Sequence, residues 1–271
     1  MIDRLSVGLI QLNSGPDREK NMSKVLEMVQ EAIHKGAEFI LLPENYSLRG
    51  DNLDPLTKGE SVPGPSLVPL MELARNHGVW ILAGSFSEKL SNHSKVRNTS
   101  ALIDYRGEMV AKYSKMHLFD VEIGNKIMRE SQTFQAGEEP VLTSVKGIKT
   151  GLSICYDLRF PGLFQGYSKA GAEMICVPSS FTTPTGRSHW ESLLRARAIE
   201  NQAFVLAPNQ VGVGARKVPT FGHSMVVGPW GEVICCGSET KEEVLVVSLD
   251  FESLRQIREQ FPVLKHRKES Y

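Results

Sequence analysis

The chain lacks any apolar run near the ~20 residues that a helix needs to cross a bilayer, so a spanning segment is not expected. It is poor in cysteine: Cys155, Cys176, Cys235 and Cys236 are the only four, with no C-x-x-C pair and no Cys/His cluster at zinc spacing. That argues against a disulfide framework and against a structural zinc site. It has no excess of charge, with 31 Lys+Arg against 31 Asp+Glu. A main partner made of nucleic acid would want a basic surplus, and so would a polybasic membrane patch. Internal repeats, low-complexity runs and evident linkers are absent too. The opening MIDRLSVGLIQLN is too short and too broken for a secretory h-region, so the expected compartment is the cytoplasm and the expected state of the cysteines is the free thiol. The N-x-S/T sequons at Asn21, Asn45, Asn92 and Asn98 then read as chance matches.

What is present is a chain of 271 residues, 41% hydrophobic and 23% charged, which is enough to build a sizeable core. Length alone gives about two domains at ~150 residues each, but α/β chains of this size often form one. We expect one domain over 1–271. Strand-like and helix-like segments alternate. LSVGLIQL (5–12) is apolar and β-branched, and Met22, Val25, Leu26, Val29 and Ile33 then recur at helical spacing. EFILLP (38–43) and EMICVP (173–178) are short continuous apolar runs, the pattern of strands buried on both faces. TSALIDY and GEMVAKY flank Arg106-Gly107 as a hairpin. Phe160-Pro161 opens a helix, and Ser188-His-Trp-Glu191 reads as a capping box that starts another. Helix 251–260 precedes FPVLKHRKESY (261–271), a polar tail with no core of its own.

Open α/β sheets place ligands beyond the carboxyl ends of their strands. Glu44 follows EFILLP, Lys115 follows EMVAKY, and Cys155 ends GLSIC before the sharp turn YDLRFP. A free thiol titrates near ~8.5 and needs a base to take its proton. A carboxylate supplies one, and an ammonium complements the oxyanion of a tetrahedral intermediate. The backbone N–H of Tyr156, just after the nucleophile, is a second oxyanion donor. The set suits attack on a carbon bearing nitrogen. Cys176 reads as core, and Cys235 and Cys236 face opposite sides of a strand. VGVG (211–214) does not open a helix, so a dinucleotide site is not expected. His117 and His223 read as satisfied structural histidines, and Asp157 and Arg159 as a pair holding the turn.

LLPENYSL, KYSKMHLFD and GLSICYDLRFP resemble the three signature segments of the nitrilase (carbon–nitrogen hydrolase) superfamily, in its order and with its Glu, Lys and Cys. GAEMICVPSSF, HWESLLRARAIENQAFVLAPNQVG, FGHSMVVGPWGEV and the ending are most similar to its deaminated glutathione amidase branch. The resemblance implies an α-β-β-α sandwich, stacking as a homodimer or dimer-based oligomer with the tail 261–271 at the interface. It implies an amidase that forms a cysteine thioester at a terminal carboxamide, releasing ammonia and a carboxylic acid, with deaminated glutathione as substrate. Cys155 would be nucleophile, Glu44 general base and Lys115 the oxyanion partner. Glu130, favoured over Glu122, would be a second glutamate. Tyr156, Phe181, Thr182 and Arg187 are candidate substrate contacts. No cofactor or metal is implied. Alternatives are an ω-amidase acting on α-ketoglutaramate, a nitrilase for small nitriles, and a catalytically idle binding module on the same fold.

Overall fold

The computed structural model describes residues 2–50, 59–91, 93–123, 126–214 and 218–268. Two six-stranded sheets form its centre. The first has the order β16 (Glu243–Asp250), β1 (Arg4–Gln11), β2 (Phe39–Leu41), β3 (Trp80–Lys89), β4 (Val96–Ile103), β5 (Met109–Ser114). The second has β15 (Val233–Cys236), β14 (Met225–Val227), β11 (Phe204–Ala207), β10 (Met174–Cys176), β9 (Ile148–Leu152), β8 (Val141–Val145). Helices α1 (Arg18–His34) and α2 (Val68–His77) cover the first sheet. Helices α3 (Pro161–Lys169) and α4 (Thr183–Asn201) cover the second.

The period-2 alternation of each strand assigns its side chains to layers. Leu5, Val7 and Leu9 of β1, Phe39 and Leu41 of β2, and Leu82 of β3 enter the seam between the sheets. They meet Leu152, Met174, Cys176, Phe204 and Leu206 from the second sheet. The intervening Ile40, Ile81 and Ala83 face α1 and α2, against Met22, Val25, Val29 and Ala32. On the far side Ile175, Val205 and Ala207 pack on Phe164, Trp190, Leu194 and Ala198. The expected four-layer α-β-β-α sandwich is therefore what these patterns build. Each fully buried Leu, Val, Ile or Phe contributes about 1.5–3 kcal/mol. Cys176 is one such core group, and Cys235 packs at the seam while Cys236 is exposed.

Several expectations on element bounds are met. The hairpin pairs Thr99 with Ser114 and Leu102 with Ala111, α3 begins at Pro161, and the helix at 251–260 is α5 (Phe251–Gln260). Val211–Val213 forms strand β12, paired to β13 (Pro219–Phe221), not a helix start. One expectation fails. Helix α4 starts at Thr183, with Pro184 in its first turn, so Ser188 to Glu191 lie inside it and cap nothing. Proline's preset φ makes it a starter, and that outweighs the serine signal five residues on.

Beyond α5 the tail folds back on its own chain. The Gln202 side-chain amide donates to the Phe261 carbonyl at 2.6 Å, α6 (Val263–His266) follows, and Arg267 reaches Ser168 and Asn201. Among the described residues no helix is long and apolar enough to cross a membrane.

Candidate active site

Three chain segments emerge at one end of the sandwich. The loop after β2 carries Glu44. It runs so close to β3 that a Cβ on Gly84 would lie 1.9 Å from the Pro43 carbonyl oxygen. Only glycine fits there, and the contact fixes where Glu44 leaves the sheet. Lys115 directly follows β5. Its backbone N–H donates to the Asn98 carbonyl on β4 at 2.9 Å, which sets the lysine beside Asn98. Strand β9 ends at Leu152, three residues before Cys155, and Cys155 opens a 3₁₀ turn over Cys155–Arg159. Its φ is +48°, a left-handed backbone that a residue with a Cβ rarely adopts. The backbone N–H of Cys155 donates to the Pro178 carbonyl at 2.9 Å, and Ile154 N–H donates to Asp157 Oδ2 at 2.8 Å. The turn is thus held in the strained form that projects the sulfur.

The side chains meet. Lys115 Nζ donates to Glu44 Oε1 at 3.0 Å and to Glu130 Oε2 at 2.9 Å and Oε1 at 3.1 Å. Asn98 Nδ2 donates to Glu44 Oε1 at 2.9 Å. The Phe119 backbone N–H donates to Glu130 Oε2 at 2.6 Å. Burial of Lys115 favours its neutral form, but Glu130, Glu44 and Cys155 outweigh it, and its pKa lies well above the usual lysine value. The lysine is a fixed cation. The Cys155 sulfur lies beside the Glu44 carboxyl and the Ser180 backbone N–H. Burial and the Glu44 charge push its thiol well up, against the pull of Lys115 and Ser180. At rest the sulfur therefore holds its proton, with Glu44 beside it as the acceptor.

A buried Asp157 ties the turn to the lysine loop. It accepts from Tyr113 Oη at 2.7 Å, from the His117 backbone N–H at 3.0 Å, and faces His117 Nδ1 at 2.7 Å. His117 stacks on Phe160 with ring centroids 3.7 Å apart. The anticipated Asp157–Arg159 pair is not made. Tyr113 and His117 lie nearer the carboxylate, and Arg159 instead turns over the Tyr156 and Phe181 rings at 5.7 and 5.1 Å.

A cavity of about 250 Å³ opens onto this cluster. Glu44, Lys115, Glu130, Cys155, Tyr156 and Phe181 line it, with Thr182 beside them. This constellation, with the four-layer sandwich around it, can be set beside known proteins. The sequence pattern described as carbon-nitrogen hydrolase spans residues 6–259. The chain belongs to the carbon–nitrogen hydrolase family. It is 40% identical over 270 residues to the human deaminated glutathione amidase, covering 97% of this chain and 82% of that one. A Yersinia enterocolitica protein of the same name is 39% identical over 97% of this chain and 93% of its own. The NitFhit crystal structure from C. elegans superimposes with a TM-score of 0.92 at 37% identity, over 98% of this chain and 65% of that longer one.

This carbon–nitrogen hydrolase is accordingly an enzyme, an amidase by kinship. Of the residues singled out in its sequence, the fold gathers Glu44, Lys115, Cys155, Glu130, Tyr156, Phe181 and Thr182 at one cavity. Glu122 stays on an exposed strand, β6 (Asp120–Ile123), while Glu130 follows β7 (Lys126–Arg129) and turns inward. Arg187 is not brought there: it points outward from α4 and pairs with Glu239 at 2.9 Å, both well exposed. The earlier start of α4 explains this, since it carries Arg187 past the cavity on the helix's solvent side. Sequence reasoning missed Asn98, Ser180 and Arg49. Asn98 was visible only as a sequon, and a buried polar residue inside the apolar strand VRNTSALI was the signal available. Among the described residues no group of His, Cys, Asp and Glu could hold a metal ion.

Proposed function

We propose that this enzyme hydrolyses the amide that links an α-keto acid to its amine in deaminated glutathione, through a thioester on Cys155. The observation that carries the reading is the single contact chain Cys155–Glu44–Lys115–Glu130 on the cavity wall. The substrate class comes from the kinship with the deaminated glutathione amidases.

As the sulfur attacks the carbonyl carbon, its proton passes to Glu44. The carbonyl oxygen becomes an oxyanion facing the Lys115 ammonium and the Tyr156 backbone N–H. Glu44 then gives the proton to the amide nitrogen, the C–N bond breaks, and the amine leaves. A water enters, Glu44 takes one of its protons, and the hydroxide adds to the thioester carbon. The C–S bond breaks and the sulfur recovers its proton from Glu44. Glu130 and Asn98 position the Lys115–Glu44 pair throughout. In deaminated glutathione the scissile amide is secondary, so the departing amine is cysteinylglycine. Ammonia release belongs to primary keto-amides such as α-ketoglutaramate.

The test compares cysteinylglycine release from deaminated glutathione with ammonia release from α-ketoglutaramate and from a simple aliphatic nitrile. The expected outcome is a strong preference for the first and loss of all turnover in Cys155→Ala. Full activity in that variant would refute the mechanism, and preference for α-ketoglutaramate would make the enzyme an ω-amidase. The reaction is placed in the cytoplasm, whose reducing conditions keep Cys155 a thiol. The exposed aromatic pair Trp230 and Phe261, with ring centroids 5.5 Å apart, supports a homodimer joined near the tail. Light scattering on the purified chain checks this, and a monomer at micromolar concentration would rule it out.

A further inference from the structure

We propose that Arg49 binds a carboxylate carried by the departing amine and so sets leaving-group specificity; the inference rests on the keto-acid amide reading above. Arg49 lines the cavity and is partly buried. Among the described residues its hydrogen bonds go to neutral acceptors: Nε to the Ser14 carbonyl at 3.2 Å, Nη2 to Asn13 Oδ1 at 2.9 Å, and Nη1 to Thr220 Oγ1 at 3.2 Å and Ser180 Oγ at 3.4 Å. A guanidinium has five N–H donors in a planar fork suited to a carboxylate. Among the described residues one finds no acceptor, and two reach hydroxyls at long distances that a charged acceptor would better. Burial lowers the Arg49 pKa to about 10, partly offset by Glu44, so the cation is desolvated with no carboxylate of the described residues against it. The space around it is kept open: a Cβ on Gly214 would lie 2.8 Å from Arg49 Nε.

The cavity's charge agrees. Lys115 is matched by Glu44 and Glu130, while Arg49, Arg129 and Arg159 also line the wall, so among the described residues cations exceed carboxylates by two. A dianion is the complementary substrate. Position decides which end Arg49 takes. Ser14, which accepts from Arg49, is bonded to Gln210, whose Nε2 donates to the Glu44 carbonyl at 3.0 Å. Arg49 and Glu44 thus share one wall, and Glu44 is the group that protonates the departing nitrogen. Arg159 lies over the Tyr156 and Phe181 rings, with no bond to the Glu44 wall among the described residues. A carboxylate on the leaving amine therefore falls to Arg49.

The experiment uses the whole enzyme and three amides of one α-keto acid: with ammonia, with cysteinylglycine, and with cysteinylglycinamide, whose C-terminal charge is removed. The wild-type enzyme is expected to favour the acid over its C-terminal amide by about 10- to 100-fold in kcat/KM, the worth of one hydrogen bond to a charged group. Arg49→Met should bring that ratio close to one, mainly through KM, and Arg49→Lys should restore part of it. If Arg49→Met slowed all three substrates by one factor and kept the ratio, Arg49 would be a strut and the inference wrong. A wild-type ratio near one would overturn the inference while leaving the keto-acid amide reading intact. No turnover of any of the three by the wild-type enzyme would overturn both.

Discussion

Replacing Glu130 with glutamine keeps the shape and removes one of the two carboxylates on Lys115. The two carboxylate oxygens lie 2.9 and 3.1 Å from Nζ, and Lys115 and Glu130 side chains are only 3% and 14% exposed. Screening is therefore weak. Breaking a buried pair by deleting one partner costs about 3–5 kcal/mol, but Lys115 keeps Glu44, so about 2–3 kcal/mol of stability should go. In a chain of this size that lowers Tm by about 4–12 °C. The amide oxygen can still accept from Phe119 N–H and from Nζ at the Oε2 position, but the NH2 then stands at the Oε1 position facing the ammonium, donor against donor. The lysine is driven toward Glu44, a tighter pair that holds back the proton acceptor Cys155 needs. Removal of one oxyanion donor costs ~10²–10³ in kcat, and misplacing one through a neighbour should cost about 10- to 100-fold. The assay is steady-state kinetics beside a thermal melt, with Glu122→Gln as control on the exposed strand. A Glu130→Gln enzyme within threefold of wild-type kcat, or a Glu122→Gln enzyme as impaired as it, would refute the reasoning.

Three further outcomes follow from the same geometry. Asp157→Ala strands the buried Ile154 N–H and Tyr113 hydroxyl, so chemical denaturation should show a loss of about 3–5 kcal/mol; a loss below 1 kcal/mol would mean the turn stands without it. Gly84→Ala forces the Pro43 carbonyl and hence Glu44 away, and kcat should fall at least tenfold, checked by kinetics on protein that retains its far-UV circular dichroism. Burial pushes the Cys176 thiol far up, so in the fold it stays neutral where the unfolded chain ionises. Its share of stability is complete below the unfolded thiol pKa of ~8.5 and is lost above it at about 1.4 kcal/mol per pH unit; Cys176→Ala should flatten the melting profile between pH 9 and 10, and an unchanged slope would count against this.

Much of the molecule was legible in the chain because its sheets are buried on both faces. A strand such as EFILLP has no polar side, so its apolar run names it, and its polar end residue stands out as the place where the chain meets the cavity. Glu44 and Lys115 were visible for that reason, and Cys155 because a turn follows it. What escaped was set by contacts across the sandwich. Asp157 lies beside Arg159 in sequence, yet Tyr113 on β5 of the other sheet and His117 on the loop after it take it. Asn98 looks like a surface sequon until β4 lies next to β5. Arg187 looks like a carboxylate ligand until Pro184 starts the helix early and rotates it outward. Arg49, in ENYSLRG, has nothing local to mark it: its meaning lies in Asn13, Ser14, Ser180 and Thr220, four neutral acceptors from three segments. Nucleophile, base and lysine all sit where strands end, a place set by local pattern. The residues that choose the substrate sit where segments converge, so two chains can share Glu44, Lys115 and Cys155 and still differ in which amine they release.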